Sequence, residues 1–95
     1  MNVLVVGGSG YIGSVLIPLL RKHHQIANYD ASDGHRVNDA FYLDNYLQDA
    51  DAVIYLASLS NNDLCNKYPI YAKSVNQDCF PGVVKAVKEA GVKHF

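Results

Sequence analysis

Seven residues near the start of the chain, Gly7-Gly8-Ser9-Gly10-Tyr11-Ile12-Gly13, restrict its fold more than any other stretch. The Val3–Val6 run before them is short, β-branched and Leu-rich, as in a parallel strand buried on both faces. After Tyr11 the apolar residues change to helical spacing, with Ile12, Val15, Leu16, Leu19 and Leu20 assigned to one face. A strand that ends in glycines and opens into a helix must turn sharply. Gly7 permits that turn, Gly10 lets a phosphate group approach the backbone, and Gly13 lets the helix pack closely on the sheet. The amides of Tyr11 and Ile12 fall at the helix N-terminus, where unpaired donors and the helix dipole favour phosphate. Pro18 removes one backbone bond from this helix and predicts a local bend.

The remaining elements alternate in type. Gln25–Tyr29 reads as a second strand, and Asp33-Gly34 as a turn. His35-Arg36-Val37 reads as a brief third strand. Ala40, Leu43 and Leu47 fit a short helix capped by Asn38 or Asp39. Ala52–Leu56 is another apolar strand, and Ser60-Asn61-Asn62-Asp63 a polar loop. A long helical stretch carries Val75, Phe80, Val83, Val84, Val87 and Ala90, with a kink expected at Pro81-Gly82 and a stop at Gly91. His94-Phe95 looks like the start of a further strand, expected to cover the outer edge of Ala52–Leu56. Strand–helix alternation implies an α/β fold with a parallel sheet. With the glycine loop, the fold class is a Rossmann-type, doubly wound sheet: its N-terminal half, about four strands, over residues 1–95. An edge of Ala52–Leu56 left open invites self-association.

A glycine triplet alone could be a turn that binds nothing. Here it has a buried strand before it, an amphipathic helix after it and an acidic residue, Asp30, about twenty positions on. Asp30 ends the second strand, where a carboxylate can accept both hydroxyls of an adenosine ribose and repel a 2′-phosphate. Neither Ala31 nor Ser32 supplies a cation, so the expected dinucleotide is NAD rather than NADP. No Gly-Lys-Ser/Thr ending follows the loop, which argues against a nucleoside-triphosphate site. A net charge of −1 with scattered Lys and Arg gives no attraction to nucleic acid or an anionic membrane. No stretch nears the roughly twenty apolar residues of a membrane span. Cys65 and Cys79 lie far apart without CxxC pairing, and the four histidines complete no zinc pattern, so no metal is expected. Both thiols are read as reduced in a cytoplasmic protein.

Over its whole length the chain resembles the NAD-dependent epimerase/dehydratase branch of the extended short-chain dehydrogenase/reductase superfamily. The resemblance rests on Gly7–Ser14 and on Asp51-Ala52-Val53-Ile54-Tyr55-Leu56-Ala57-Ser58, where Tyr55 replaces a common His. It also rests on Pro69–Asn76 and on Glu89–Phe95. It implies that Gly7, Gly10, Tyr11, Ile12, Gly13 and Asp30 bind cofactor. It further implies that Leu56, Ala57 and Ser58 line the cofactor cleft and that Asn76 contacts the cofactor side of the active site. The family's adenine-contacting Asp–hydrophobic pair has no clean match at Val37-Asn38-Asp39. The family's Tyr-x-x-x-Lys pair is also absent, because none of the seven tyrosines has a lysine four residues later. No catalytic residue is therefore assigned. The resemblance implies the NAD-binding portion of a nucleotide-sugar epimerase or dehydratase, inactive by itself, the sugar being bound elsewhere in a full-length parent. Two alternatives stay open: a non-catalytic nucleotide-binding or interaction module, and part of a reductase acting on a non-sugar carbonyl.

Overall fold

A computed structural model of the chain describes residues 1–31, 35, 37, 40–58 and 62–95. Its centre is a parallel sheet of three strands, β1 (Asn2–Val6), β2 (Gln25–Tyr29) and β3 (Ala52–Tyr55), in the order β2-β1-β3. Val5 pairs with Asn28 on one side and with Ile54 on the other. Because strand side chains alternate between faces, the apolar run of β1 serves two cores at once. Leu4 and Val6 enter one core, and Val3 and Val5 enter the other.

The helices are α1 (Tyr11–Leu20), α2 (Ala40–Leu47), α3 (Asn62–Lys67), α4 (Pro69–Lys73) and α5 (Phe80–Glu89). Ile17 of α1 packs on Val3, Val5 and Ala52. On the opposite face Leu43 and Leu47 of α2 and Val83 and Val87 of α5 pack with Leu4, Val6, Tyr29 and Val53. Helices thus lie on both faces of the sheet, the doubly wound α/β arrangement expected. None is long and apolar enough to cross a membrane among the described residues.

Several expectations change in detail. α1 runs through Pro18, and its buried positions are Gly13 and Ile17, one helical turn apart. Ile12, Val15 and Leu19, assigned to the core face, are exposed. No third strand forms at His35 or Val37, while Arg36 lies outside the described residues. The His35 amide bonds the Asp30 carbonyl at 3.0 Å, and Val37 folds into the core. The expected Asp33-Gly34 turn and the Asn38 or Asp39 cap also lie outside the described residues. Asn62 and Asp63 begin α3 rather than a loop, with Ser60 and Asn61 again outside. β3 stops at Tyr55, although Leu56 still donates to the Val6 carbonyl at 2.7 Å.

The expected long helix is broken into α4, a π-helical turn over Ser74–Asp78, and α5. The Cys79 amide reaches back five residues to the Ser74 carbonyl at 3.0 Å. Pro81 falls in the first turn of α5, where its missing N–H has no intrahelical role. Gly91, at φ +75°, ends α5 as expected. Its amide bonds Lys88 at 3.2 Å while that of Val92 bonds Val87 at 3.4 Å, the two reverse bonds of a Schellman cap. His94 forms a parallel bridge to Ala52, so the further strand does begin beside β3. Among the described residues the outer edge of β3 is met only at that bridge.

Candidate cofactor site

The site lies at the C-terminal ends of β1 and β3, on the side to which the glycine loop turns. At Gly7 the backbone takes φ +82°, a conformation that L side chains rarely adopt. A Cβ there would also stand 2.6 Å from the Cα and the amide nitrogen of Ala57. Gly7 is therefore required both by its turn and by the nearness of the segment after β3. Gly13 differs from expectation, since a Cβ on it would strike the carbonyl of Gly8. It allows the first turn of α1 to close on its own loop rather than on the sheet. Gly10 faces open space, with nothing within 4 Å of a Cβ built on it.

The loop is tied to the end of β2 by three successive amides. Gly7 N–H donates to the Tyr29 carbonyl at 2.7 Å, Gly8 N–H to Asn28 Oδ1 at 2.9 Å and Ser9 N–H to Asp30 Oδ2 at 2.9 Å. Gly10 is the N-cap of α1, and no side chain caps the helix there. The first amides of a helix have no partner within it. Those of α1 consequently face the cavity with the positive end of the helix dipole behind them.

A cavity of about 580 Å³ opens over this loop. Gly7, Gly10, Tyr11, Ile12, Gly13, Asp30, Leu56, Ala57 and Ser58 all line it. Asn76 does not; it is exposed on the π-helical turn, and Tyr71 and Val75 supply the wall on that side. Ser9, Tyr29, Ala31, His35 and Val37 complete the lining without having been singled out in the sequence. The ring of His35 lies 5.1 Å from Tyr29 and 5.2 Å from Tyr46, so an aromatic cluster backs the cavity beside β2. The polar run after Tyr29 concealed that cluster. Below the site, Tyr55 turns toward the α5 face, its hydroxyl 3.9 Å from Cys79 Sγ. Burial pushes this phenol well above its ordinary range, with the nearby Cys79 adding to the effect.

The profile of the NAD-dependent epimerase/dehydratase family matches residues 3–95. The chain belongs to this family. Solved structures share its fold. UDP-glucose-4-epimerase of Stenotrophomonas maltophila, with bound NAD and formylated UDP-arabinopyranose, is 25% identical, at a TM-score of 0.81. The match covers 97% of this chain and 34% of that one. dTDP-4-dehydrorhamnose reductase of Bacillus anthracis, in complex with NADP, superposes at a TM-score of 0.83 with 20% identity over 98% of this chain and 34% of that one. UDP-glucose 4-epimerase of Thermus thermophilus, in complex with NAD, gives 0.81 with 21% identity over 97% and 35%. The chain thus spans about a third of the length of these relatives. As a member of the epimerase/dehydratase family, it carries the strand–glycine loop–helix unit with its cavity open. The residues fit a dinucleotide: open space at Gly10, uncapped amides beside it, and a carboxylate at the end of β2.

Proposed function

We propose that this chain binds NAD through the cavity above the glycine loop and orients it for chemistry completed by other parts of a full-length enzyme. The supporting observation is the open, uncapped start of α1 at Gly10, which presents amides to a pyrophosphate without a side chain in the way. Gly7, Gly10, Tyr11, Ile12 and Gly13 surround the pyrophosphate. Asp30 accepts the adenosine ribose hydroxyls through the carboxylate that also holds Ser9. Ala31, His35 and Val37 flank the adenine end, and Leu56, Ala57 and Ser58 flank the nicotinamide end. Asn76, next to the lining residue Val75, contacts the cofactor side of the site in this reading.

A nucleotide sugar is the substrate class of the parent enzyme, in keeping with the epimerase relatives. Bound NAD would supply hydride acceptance, and this chain's residues would bind and orient it. The β3 edge beyond the Ala52–His94 bridge supports pairing with a further strand, including that of a second copy.

Calorimetric titration with NAD and NADP tests this reading. NAD is expected to bind more tightly, because Asp30 repels a 2′-phosphate. Replacing Asp30 with Asn should narrow the difference. Equal affinities in the unmodified chain would remove Asp30 from the ribose site, and absence of binding would favour a non-catalytic interaction module.

A further inference from the structure

We propose that Asn28 is a positioning residue for dinucleotide binding, acting from behind the glycine loop without touching the ligand. The proposal deepens the reading above and rests on the loop being the pyrophosphate site. Asn28 sits half-buried near the end of β2, an edge strand of the sheet, paired with Val5 of the central strand. A carboxamide so placed carries a desolvation penalty unless its polar atoms are bonded. Both ends are bonded, and both partners belong to the loop. Oδ1 accepts the Gly8 N–H at 2.9 Å, and Nδ2 donates to Ser9 Oγ at 3.2 Å.

Gly8 supplies the second half of the argument. A Cβ on Gly8 would lie 2.5 Å from Asn28 Oδ1 and 2.6 Å from Ile17 Cδ1. The absence of a side chain at Gly8 is what lets the Asn28 carboxamide reach the loop backbone. Gly8 and Asn28 are therefore a matched pair. Asn28 does not line the cavity, so its influence passes through Gly8 and Ser9 to the amides that follow. Of the three groups at the end of β2 and just after it that hold the loop, the Tyr29 carbonyl is backbone and Asp30 is shared with the ribose role. Asn28 alone is a side chain given wholly to fixing the loop.

The test compares the unmodified chain with Asn28→Leu, which keeps the size and loses both bonds, and with Asn28→Ser, which is too short to reach Gly8. Binding of NAD and of adenosine, which lacks phosphate, is measured by calorimetry, and exchange of the Gly8 and Ser9 amides by NMR. Either variant should weaken NAD roughly five- to tenfold while adenosine binding is little changed, and Gly8 exchange should accelerate. Asn28→Asp retains the acceptor and should restore slow Gly8 exchange. Unaltered NAD affinity in a folded Asn28 variant overturns the proposal while leaving the cavity's assignment intact. Equal losses for NAD and adenosine overturn it as well, by showing general packing damage. If the unmodified chain binds neither ligand, the site assignment fails and this proposal fails with it.

Discussion

Gly7 and Ala57 meet so closely that a single Cβ on Gly7 would lie 2.6 Å from the Ala57 backbone. The glycine loop after β1 and the segment after β3 are thus fitted to each other before any ligand arrives. Gly7→Ala should destabilise the chain by about 1–2 kcal/mol from its left-handed backbone alone, with the contact to Ala57 adding to that. Thermal unfolding would show it as a clear fall in Tm. An unchanged Tm would mean that the loop and the β3 segment separate freely.

Gly10 should behave in the opposite way. With open space around it, Gly10→Val should alter stability by well under the cost at Gly7, yet fill the room a pyrophosphate needs. The expected pattern is a near-normal unfolding transition combined with loss of NAD binding in calorimetry. Retained binding would make the loop merely a turn.

Tyr55 makes a prediction for alkaline pH. Its ordinary value is 10.0, and burial with the neighbouring Cys79 raises it in the folded chain. As pH climbs past that ordinary value the unfolded chain sheds this proton and the folded chain keeps it, so stability falls as pH rises. Below it, both states hold the proton and Tyr55 contributes no slope. Tyr55→Phe should therefore flatten the alkaline decline, measured by urea denaturation at about pH 9 and about pH 11. Parallel declines in the two proteins would contradict the shift.

The outer edge of β3 predicts association. Beyond the bridge to His94, no further strand pairs with this edge among the described residues, which leaves its ladder groups to another strand. Analytical ultracentrifugation of the 95-residue chain should show oligomers whose share grows with concentration. A monomer at every concentration would show that the edge is protected.

The first three elements were legible because two strong periodicities meet at the glycines. Val3–Val6 reads as a strand, Ile12–Leu20 as a helix, and only a tight turn can join them. The buried face of α1 was misassigned because Gly13, one of its two buried positions, carries no hydropathy signal. Counting apolar side chains therefore rotated the helix toward Ile12, Val15 and Leu19. Val37 reads as a strand residue in sequence because a lone apolar residue looks alike in a strand and in a turn that folds inward. Asn28 went unread for a related reason. A polar residue within a strand suggests a solvent-facing side chain, and only the fold brings Gly8 and Ser9 across to bond it. Most of the cavity lining was readable, since backbone geometry builds it. The aromatic side at His35 and the wall at Tyr71 and Val75 depend on packing between distant elements.

The π-helical turn at Ser74–Asp78 separates two tasks along one helical run. Tyr71 before it and Val75 within it line the cavity, while Val83 and Val87 after it are buried in the core, against which Val75 also packs. In unbroken α-helical winding these two sets would be locked in angular phase, since each residue advances the helix by about 100°. A π turn holds a surplus residue and so lets the two phases differ. Deleting one residue there would restore regular winding and leave the two sets in their present relative phase, whereas winding the same residues as an unbroken α-helix would swing the cavity wall by about that angle. The segment acts as a slack joint, in which a single residue can be gained or lost while the wall beside the cofactor cleft keeps its aim and the sheet its packing.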